Sequence, residues 1–115
     1  MEDMVTTVPI ETDPLGKNPH DKGAKLDEGK NRLGLVLGDF SRAIQTVGQV
    51  GTYGANKYTD KGWLDVPKGK ERYMDAALRH IFKDLEGEIS DPDTQLSHLA
   101  HAAWNILAVL ELRMR

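Results

Sequence analysis

The stretch that decides the fold is Asp91-Pro-Asp-Thr-Gln-Leu-Ser-His-Leu-Ala-His-Ala-Ala-Trp-Asn-Ile-Leu-Ala-Val-Leu-Glu-Leu-Arg-Met114. Apolar residues occupy almost every side of it, which predicts a helix buried on more than one side. An Asp followed by Pro is a frequent helix start, so the helix is predicted from Pro92 to the end of this stretch. His98, His101 and Asn105, spaced i, i+3 and i+7, form one polar stripe along the apolar rod.

A second helix is predicted over residues 68–87, after Pro67. Its apolar face comprises Met74, Ala77, Leu78, Ile81, Phe82 and Leu85. His80, Asp84 and Glu88 follow one another at intervals of four along one edge of that face, where helical spacing places them on neighbouring turns. Gly87 is a plausible terminator, because glycine readily adopts the left-handed conformation that ends many helices.

Another helix is predicted from Leu33 to about Tyr58 by apolar residues at helical spacing. Its five glycines are Gly34, Gly38, Gly48, Gly51 and Gly54. They indicate either close contact with another helix or a break near residues 48–54, since each costs up to about 1 kcal/mol relative to Ala in a helix interior. Asp39 is either a surface residue or a metal ligand.

Together these patterns predict an all-α protein, a small bundle of about three main helices. Three helices cannot bury so apolar a final helix in a monomer, so we expect oligomerisation of identical copies to complete the bundle. Residues 1–27 contain three prolines and little apolar periodicity, and are predicted to form an extended or disordered arm. Residues 28–115 are predicted to form the single helical domain.

Composition narrows the function. The 115 residues carry a net charge of −3, which argues against a partner that is a nucleic-acid polymer or an acidic membrane. There is no cysteine, so disulfides and thiolate metal sites are excluded. The sequence shows neither a membrane-spanning apolar run nor a signal peptide, and a cytoplasmic location is expected.

Histidines and carboxylates are expected to meet where the last two predicted helices join. His98 and His101 would face Glu88 and His80 on the antiparallel neighbour, close to Asp91. Carboxylates combined with imidazoles can bind a divalent cation, and carboxylate-rich sites in helix bundles favour Mg or Mn. The alternative is a set of core histidines satisfied by hydrogen bonds.

Two further segments have the composition of ligand sites. Lys25 and Lys30 lie among glycines before a predicted helix, a pattern that suits an anion or an ordinary charged linker. Residues 52–63 combine aromatic and basic side chains: Tyr53, Lys57, Tyr58 and Trp63. Such a mixture can hold a base and its phosphates, or can simply close the core at the end of a helix.

Several short segments of residues 23–112 together form a recognisable pattern: Gly23-Ala-Lys-Leu-Asp-Glu-Gly-Lys30, Tyr53-Gly-Ala-Asn-Lys-Tyr58, Trp63, Ala76-Ala-Leu-Arg-His80, Gly87-Glu88, Asp91 and His98-Leu-Ala-His-Ala-Ala-Trp-Asn105. In these segments the chain resembles a phage family of dATP/dGTP diphosphohydrolases, related to the MazG-like all-α nucleotide pyrophosphohydrolases. The block from His98 to Asn105 is the most specific of these.

The resemblance implies metal-dependent cleavage of a purine (deoxy)nucleoside triphosphate to the monophosphate and pyrophosphate, in the cytoplasm of an infected bacterium. It implies a metal set of Glu88, Asp91, His98 and His101, of which Glu88, His98 and His101 would also be catalytic. The implied substrate-binding residues are Lys25, Lys30, Tyr53, Lys57, Tyr58, Trp63, Arg79, His80 and Asn105.

One departure from MazG-type enzymes keeps other functions open. Those enzymes bind metal through glutamate-rich motifs on neighbouring helices, whereas the matching positions here are His98 and His101, and the first predicted helix offers only Asp39. A non-catalytic module that sequesters a nucleotide is therefore the alternative function. An interaction protein with purely structural histidines is the third.

Overall fold

The computed structural model describes residues 10–115 of the chain. Its elements are α1 (Leu33–Gly38), α2 (Ser41–Lys57), a 3-10 turn (Gly62–Asp65), α3 (Gly69–Leu85) and α4 (His98–Met114). Residues 10–115 form no β-strand, apart from an isolated bridge between Ser90 and Ser97. The predicted all-α class with three main helices is confirmed. In this part of the chain no helix has the length and apolarity needed to cross a membrane.

The chain divides into two compact units, Met1–Leu35 and Val36–Arg115. In the described part of the first unit, Thr12 and Asp13 form hydrogen bonds with residues 25–28. The hydroxyl of Thr12 donates to the Glu28 carboxylate at 2.6 Å, and the backbone N–H of Lys25 donates to Asp13 at 2.8 Å. The predicted arm, residues 1–27, thus contains a folded loop, while its first nine residues lie outside the described part.

The first predicted helix is two helices, and of the two alternatives given for its glycines the break near residues 48–54 is not found. The chain turns at Asp39 and Phe40, where the Phe40 N–H bonds to the Leu37 carbonyl at 3.0 Å instead of continuing the α-helical pattern. Gly38 and Asp39 are both weak helix formers, which favours a turn there. Asp39 is exposed, which agrees with its interpretation as a surface residue.

The glycines of α2 serve close packing instead. A Cβ atom added to Gly51 would lie 2.9 Å from Nε1 of Trp104 on α4. Trp104 cannot easily move away, because it packs edge-on against Trp63 and Tyr73 with ring centroids 5.8 and 5.6 Å away. The predicted close contact between helices is therefore found at Gly51.

The predicted start of the last helix at Pro92 is also wrong, since α4 begins at His98. Its N-cap is Ser97, whose side-chain oxygen accepts hydrogen bonds from the N–H groups of Leu99 and Ala100. The Asp91 carboxylate accepts instead from the N–H groups of Asp93 and Thr94 and stabilises a turn. An Asp-Pro pair suits a turn as well as a helix start, so the pattern alone could not separate them.

Helices α3 and α4 pack antiparallel. Near the start of α3, a Cβ atom at Gly69 would lie 3.2 Å from the side chain of Leu112, close to the end of α4. Near the opposite ends, His80 contacts His98. Buried alanines, including Ala77 and Ala108, permit the close approach of the helices. Gly87 ends the α3 segment with a φ of +100°, as predicted.

Candidate metal and nucleotide site

A short loop between α3 and α4 brings the functional side chains together. Asp91 N–H donates to the Leu96 carbonyl and His98 N–H donates to the Ile89 carbonyl, both at 2.8 Å. These two bonds close residues 89–98 into a compact hairpin-like loop. Gln95 adopts a left-handed conformation, with φ of +62°, that lets the chain reverse direction. The loop holds Asp91 beside the first turn of α4.

Three imidazoles from the two helices form a contiguous cluster. Nδ1 of His80 lies 2.8 Å from Nδ1 of His98, and the rings of His80 and His101 stack with centroids 4.5 Å apart. His98 and His101 are buried, and His80 is half-buried. The structure therefore brings together the three histidines that the sequence placed on neighbouring helices.

Two polar groups fix the orientation of these rings. Oε2 of Glu88 lies 2.8 Å from Nε2 of His98, and the Thr94 hydroxyl lies 2.7 Å from Nε2 of His101. Because a carboxylate only accepts hydrogen bonds, the proton of neutral His98 is placed on Nε2 and the lone pair on Nδ1. Nδ1 of His98 then accepts a hydrogen bond from Nδ1–H of His80, and its lone pair can bind a metal ion only when that bond is given up.

The surroundings favour the neutral form of His80 and His101 and the ionised form of Asp91. Burial lowers the pKa of His80, and the neighbouring His101 and His98 lower it further. Burial also lowers the pKa of His101, although Asp91 opposes the change. Burial would raise the pKa of Asp91, but the N–H groups of Thr94 and Asp93 outweigh it and hold that pKa below its usual value. For His80 and Asp91 these are the charge states that a metal ligand needs.

Within residues 10–115, one group of three side chains has the geometry of a metal site: His80, Asp91 and His98. Each offers a ligand atom, and these atoms all lie within 4.8 Å of one another. Two imidazoles and one carboxylate form a mixed nitrogen and oxygen donor set, which suits a divalent transition metal. The sequence pattern had placed His80 beside the expected cation, whereas the family resemblance implied that it binds substrate; the structure puts it in this group. Glu88 and His101 border the group without belonging to it.

The other predicted substrate residues are spread over several places. Arg79 is exposed beside His80 on α3, and Asn105 is buried and donates to the His101 carbonyl within α4 at 2.8 Å. Lys57 lies over the ring of Tyr58, which is 73% exposed. Lys25 and Lys30 belong to the first unit, where Lys30 pairs with Glu11 at 3.5 Å.

Trp63 and Tyr53 border different cavities. Trp63 lines one of about 360 Å³ with Trp104 and the second half of α4. Tyr53 lines an open cleft of about 660 Å³ between α2 and the loop, together with Thr94. The resemblance implied Tyr53, Tyr58, Trp63 and Asn105 as substrate-binding residues. Of these, Tyr53 alone lines the cleft beside Thr94.

Sequence reasoning missed Thr94 and Ser97, which hold His101 and cap α4. A usable signal for Ser97 was present, because Ser followed by an unbroken apolar helical run is a common N-cap pattern. Thr94 offered no such signal, since its contact with His101 depends on the turn around Asp91.

Comparison with protein families identifies the chain. Residues 20–115 match the family described as "dATP/dGTP diphosphohydrolase, N-terminal". The chain belongs to this family. The match covers both α3 and α4 and therefore the whole histidine cluster, and it confirms the family that the sequence resembled.

A member of the dATP/dGTP diphosphohydrolase family from Salmonella phage PMBT28, named dATP/dGTP diphosphohydrolase, is 32% identical over 90 residues. This alignment covers 78% of the chain and 29% of the phage protein. The chain thus matches less than a third of that relative's length. No solved structure matches the chain.

Proposed function

We propose that this dATP/dGTP diphosphohydrolase family member hydrolyses a purine deoxynucleoside triphosphate to the monophosphate and pyrophosphate, with the help of a divalent cation. The observation that carries the proposal is the cluster of His80, Asp91 and His98, whose ligand atoms converge within 4.8 Å. The name of the phage relative supports dATP and dGTP as the substrate class.

In this proposal His80, Asp91 and His98 hold the cation, and Glu88 orients His98 from the far nitrogen of its ring. Such carboxylate–histidine pairs commonly fix the ring and tautomer of a metal ligand. A bound divalent cation supplies charge neutralisation at the phosphates and makes a water molecule more acidic. His101 keeps the His80 ring in place through stacking, while the exposed Arg79 can bind a phosphate. Glu88 and His101, predicted as ligands from sequence, thereby take positioning roles.

Of the two predicted metals, the donor set favours Mn over Mg. Mg²⁺ prefers oxygen ligands and keeps several of its waters, whereas two of the three donor atoms here are imidazole nitrogens. Mn²⁺ accepts oxygen and imidazole ligands in one site. We therefore propose Mn²⁺ as the more effective activator of the two.

We also propose that a second copy of the chain covers exposed apolar surface around the site. Phe82, Leu85 and Ile89 are 58%, 75% and 62% exposed, and Leu78 and Leu99 are also exposed. Leu78, Phe82 and Leu85 recur at helical spacing on α3, and an exposed apolar helix face of this kind is typical of an interaction surface. Light scattering during gel filtration tests this assembly, and a monomeric mass at micromolar concentration would exclude it.

The setting of the proposed reaction is the cytoplasm of a phage-infected bacterium.

The decisive test of the activity compares His98→Ala with a histidine variant outside the cluster. His20 is exposed and belongs to the first unit, so His20→Ala is a matched control. We expect release of pyrophosphate from dATP and dGTP with Mn²⁺ by the wild type and by His20→Ala, and none by folded His98→Ala. Equal rates for all three proteins would refute the proposed site.

A nucleotide-binding module without hydrolysis is the second candidate, favoured by His98 and His101 at positions where MazG-type enzymes carry acids. It predicts that nucleotides raise the melting temperature of the wild type although no product forms with any metal.

A further inference from the structure

The open cleft of about 660 Å³ lies beside the histidine cluster and has no role in holding the cation. One wall is α2, which contributes Gln45, Gln49 and Tyr53, and the other is the loop before α4, which contributes Thr94. Thr94 also contacts His101 at 2.7 Å, so the same residue borders the cleft and the cluster. A ligand in this cleft is therefore separated from the His101 imidazole by the side chain of Thr94.

The wall formed by α2 has the chemistry of a site for a heterocyclic base. Gln45, Gln49 and Tyr53 are spaced four residues apart, which places them along one face of the helix. A glutamine amide offers both donors and an acceptor, and it can form paired hydrogen bonds with the edge of a purine. The Tyr53 ring, which is 40% exposed, offers an aromatic face for stacking.

We propose that this cleft binds the purine base of the nucleotide, with Gln45 and Gln49 reading its edge and Tyr53 stacking on its face. The inference rests on the proposed function, because the base can occupy the cleft only if its phosphates reach the neighbouring cluster. It assigns base recognition to α2, whereas α3, the loop and α4 hold the cation.

Gly48 makes the cleft testable without damage to the fold. It lies between the two glutamines in the lining, and no atom lies within 4 Å of the position that its Cβ would occupy. Gly48→Leu therefore projects a side chain into the cleft without meeting the protein, and it replaces a weak helix former by a strong one. Gly54→Leu is the matched control, since Gly54 lies on the same helix, is also open at Cβ and does not line the cleft.

The experiment measures KM for dATP and dGTP and, separately, inhibition by inorganic tripolyphosphate, which has no base. For Gly48→Leu we expect KM to rise about tenfold or more, consistent with the loss of a paired base contact, while tripolyphosphate inhibits it as it does the wild type. Gly54→Leu is expected to behave like the wild type in both assays. Unchanged KM values for Gly48→Leu would overturn the assignment of the cleft, as would an equal loss of tripolyphosphate binding.

A second variant, Gln49→Leu, removes the amide and keeps a similar volume. We expect KM to rise about tenfold with kcat little changed, because the lost contact is the same in the ground state and the transition state. Unchanged KM values for both nucleotides would contradict the role of Gln49 in base recognition.

The failure of this inference is distinguishable from the failure of the proposed function. If the wild type releases pyrophosphate and Gly48→Leu does so with the same KM, the function holds and the base site is wrong. If the wild type releases nothing, calorimetry with dATP and dGTP decides. If the wild type binds the nucleotides and Gly48→Leu does not, the assignment of the cleft is supported. Equal binding by the two proteins, or no binding by the wild type, overturns the assignment.

Discussion

Glu88 Oε2 lies 2.8 Å from Nε2 of His98, while Nδ1 of the same ring lies 2.8 Å from Nδ1 of His80. The buried imidazole of His98 thus links an exposed carboxylate to the interior of the cluster. Glu88 sets the tautomer that leaves a lone pair on the nitrogen facing His80 and Asp91. In the proposed site this makes Glu88 a positioning residue for the metal ligand His98.

Removal of this positioning carboxylate is expected to weaken metal binding without abolishing it. Glu88→Ala is predicted to lower the affinity for Mn²⁺ by about 10- to 100-fold, the usual range for a group that orients a ligand. Glu88→Gln is expected to lose less, because its amide oxygen can still accept from His98. Calorimetric titration with Mn²⁺ measures both, and Glu86→Ala, at an exposed carboxylate on the same segment, is the control. If Glu88→Ala binds Mn²⁺ as tightly as the wild type does, the positioning role of Glu88 is excluded.

The cap of α4 makes a prediction about stability. Ser97→Ala is expected to lower the free energy of unfolding by about 1 kcal/mol, because two N–H groups at the helix start lose their acceptor. Ser97→Asp restores an acceptor and is expected to recover most of the loss. Urea denaturation measures the effect, with Ser90→Ala in the adjoining loop for comparison. The absence of any difference between Ser97→Ala and Ser90→Ala would argue against the cap.

Two glycines of α2 are predicted to respond in opposite directions to alanine. Gly51→Ala places a Cβ atom 2.9 Å from Trp104, and overpacking of this kind costs roughly 1 to 3 kcal/mol. Gly54→Ala meets nothing within 4 Å and is expected to gain up to about 1 kcal/mol from the better helix former. Thermal unfolding should place the two variants on opposite sides of the wild type. A higher melting temperature for Gly51→Ala would contradict this prediction, because it would show that Trp104 can move to accommodate the added methyl group.

Tyr73 predicts how stability depends on pH in the alkaline range. Burial raises its pKa above the ordinary value, although Arg72 opposes the change, and its hydroxyl donates to the Trp63 carbonyl at 2.7 Å. The folded chain then keeps this proton at a pH where the unfolded chain releases it. The contribution of the hydroxyl is therefore complete below pH 10 and is lost as the pH rises above it.

Urea denaturation at pH 9 and pH 11 tests this dependence. Between these two pH values the wild type is expected to lose more of its free energy of unfolding than Tyr73→Phe, which has no hydroxyl to ionise. Parallel losses in the two proteins would contradict the assignment to Tyr73.

The sequence was sufficient for the fold class because apolar periodicity over residues 68–87 and 92–114 is long and regular. Helix ends were harder to predict, because several residues could compete for the same role. Asp91 and Ser97 are both good caps, and only the bonds that close the loop decide that Asp91 stabilises the turn and Ser97 begins α4. Similarly, Gly51 and Gly54 look alike in sequence, and only the position of Trp104 separates them.

The candidate site was predicted in outline and differs in its details. The convergence of His80, His98 and His101 followed from two antiparallel helices with histidines near the joined ends. The division of roles between His80 and Glu88 could not be read from spacing, since it depends on which ring nitrogen faces inward. The cleft beside α2 was missed for a similar reason. In the sequence Gln45 and Gln49 are indistinguishable from ordinary surface residues, and only the structure places the loop with Thr94 opposite them.

The most direct test of the central claim is a product assay with dATP and dGTP, in which nucleotides are separated by anion-exchange chromatography with and without Mn²⁺. The account predicts equal amounts of deoxynucleoside monophosphate and pyrophosphate, formed only when the cation is present. Release of the deoxynucleoside with tripolyphosphate, or no product with any divalent cation, would contradict it.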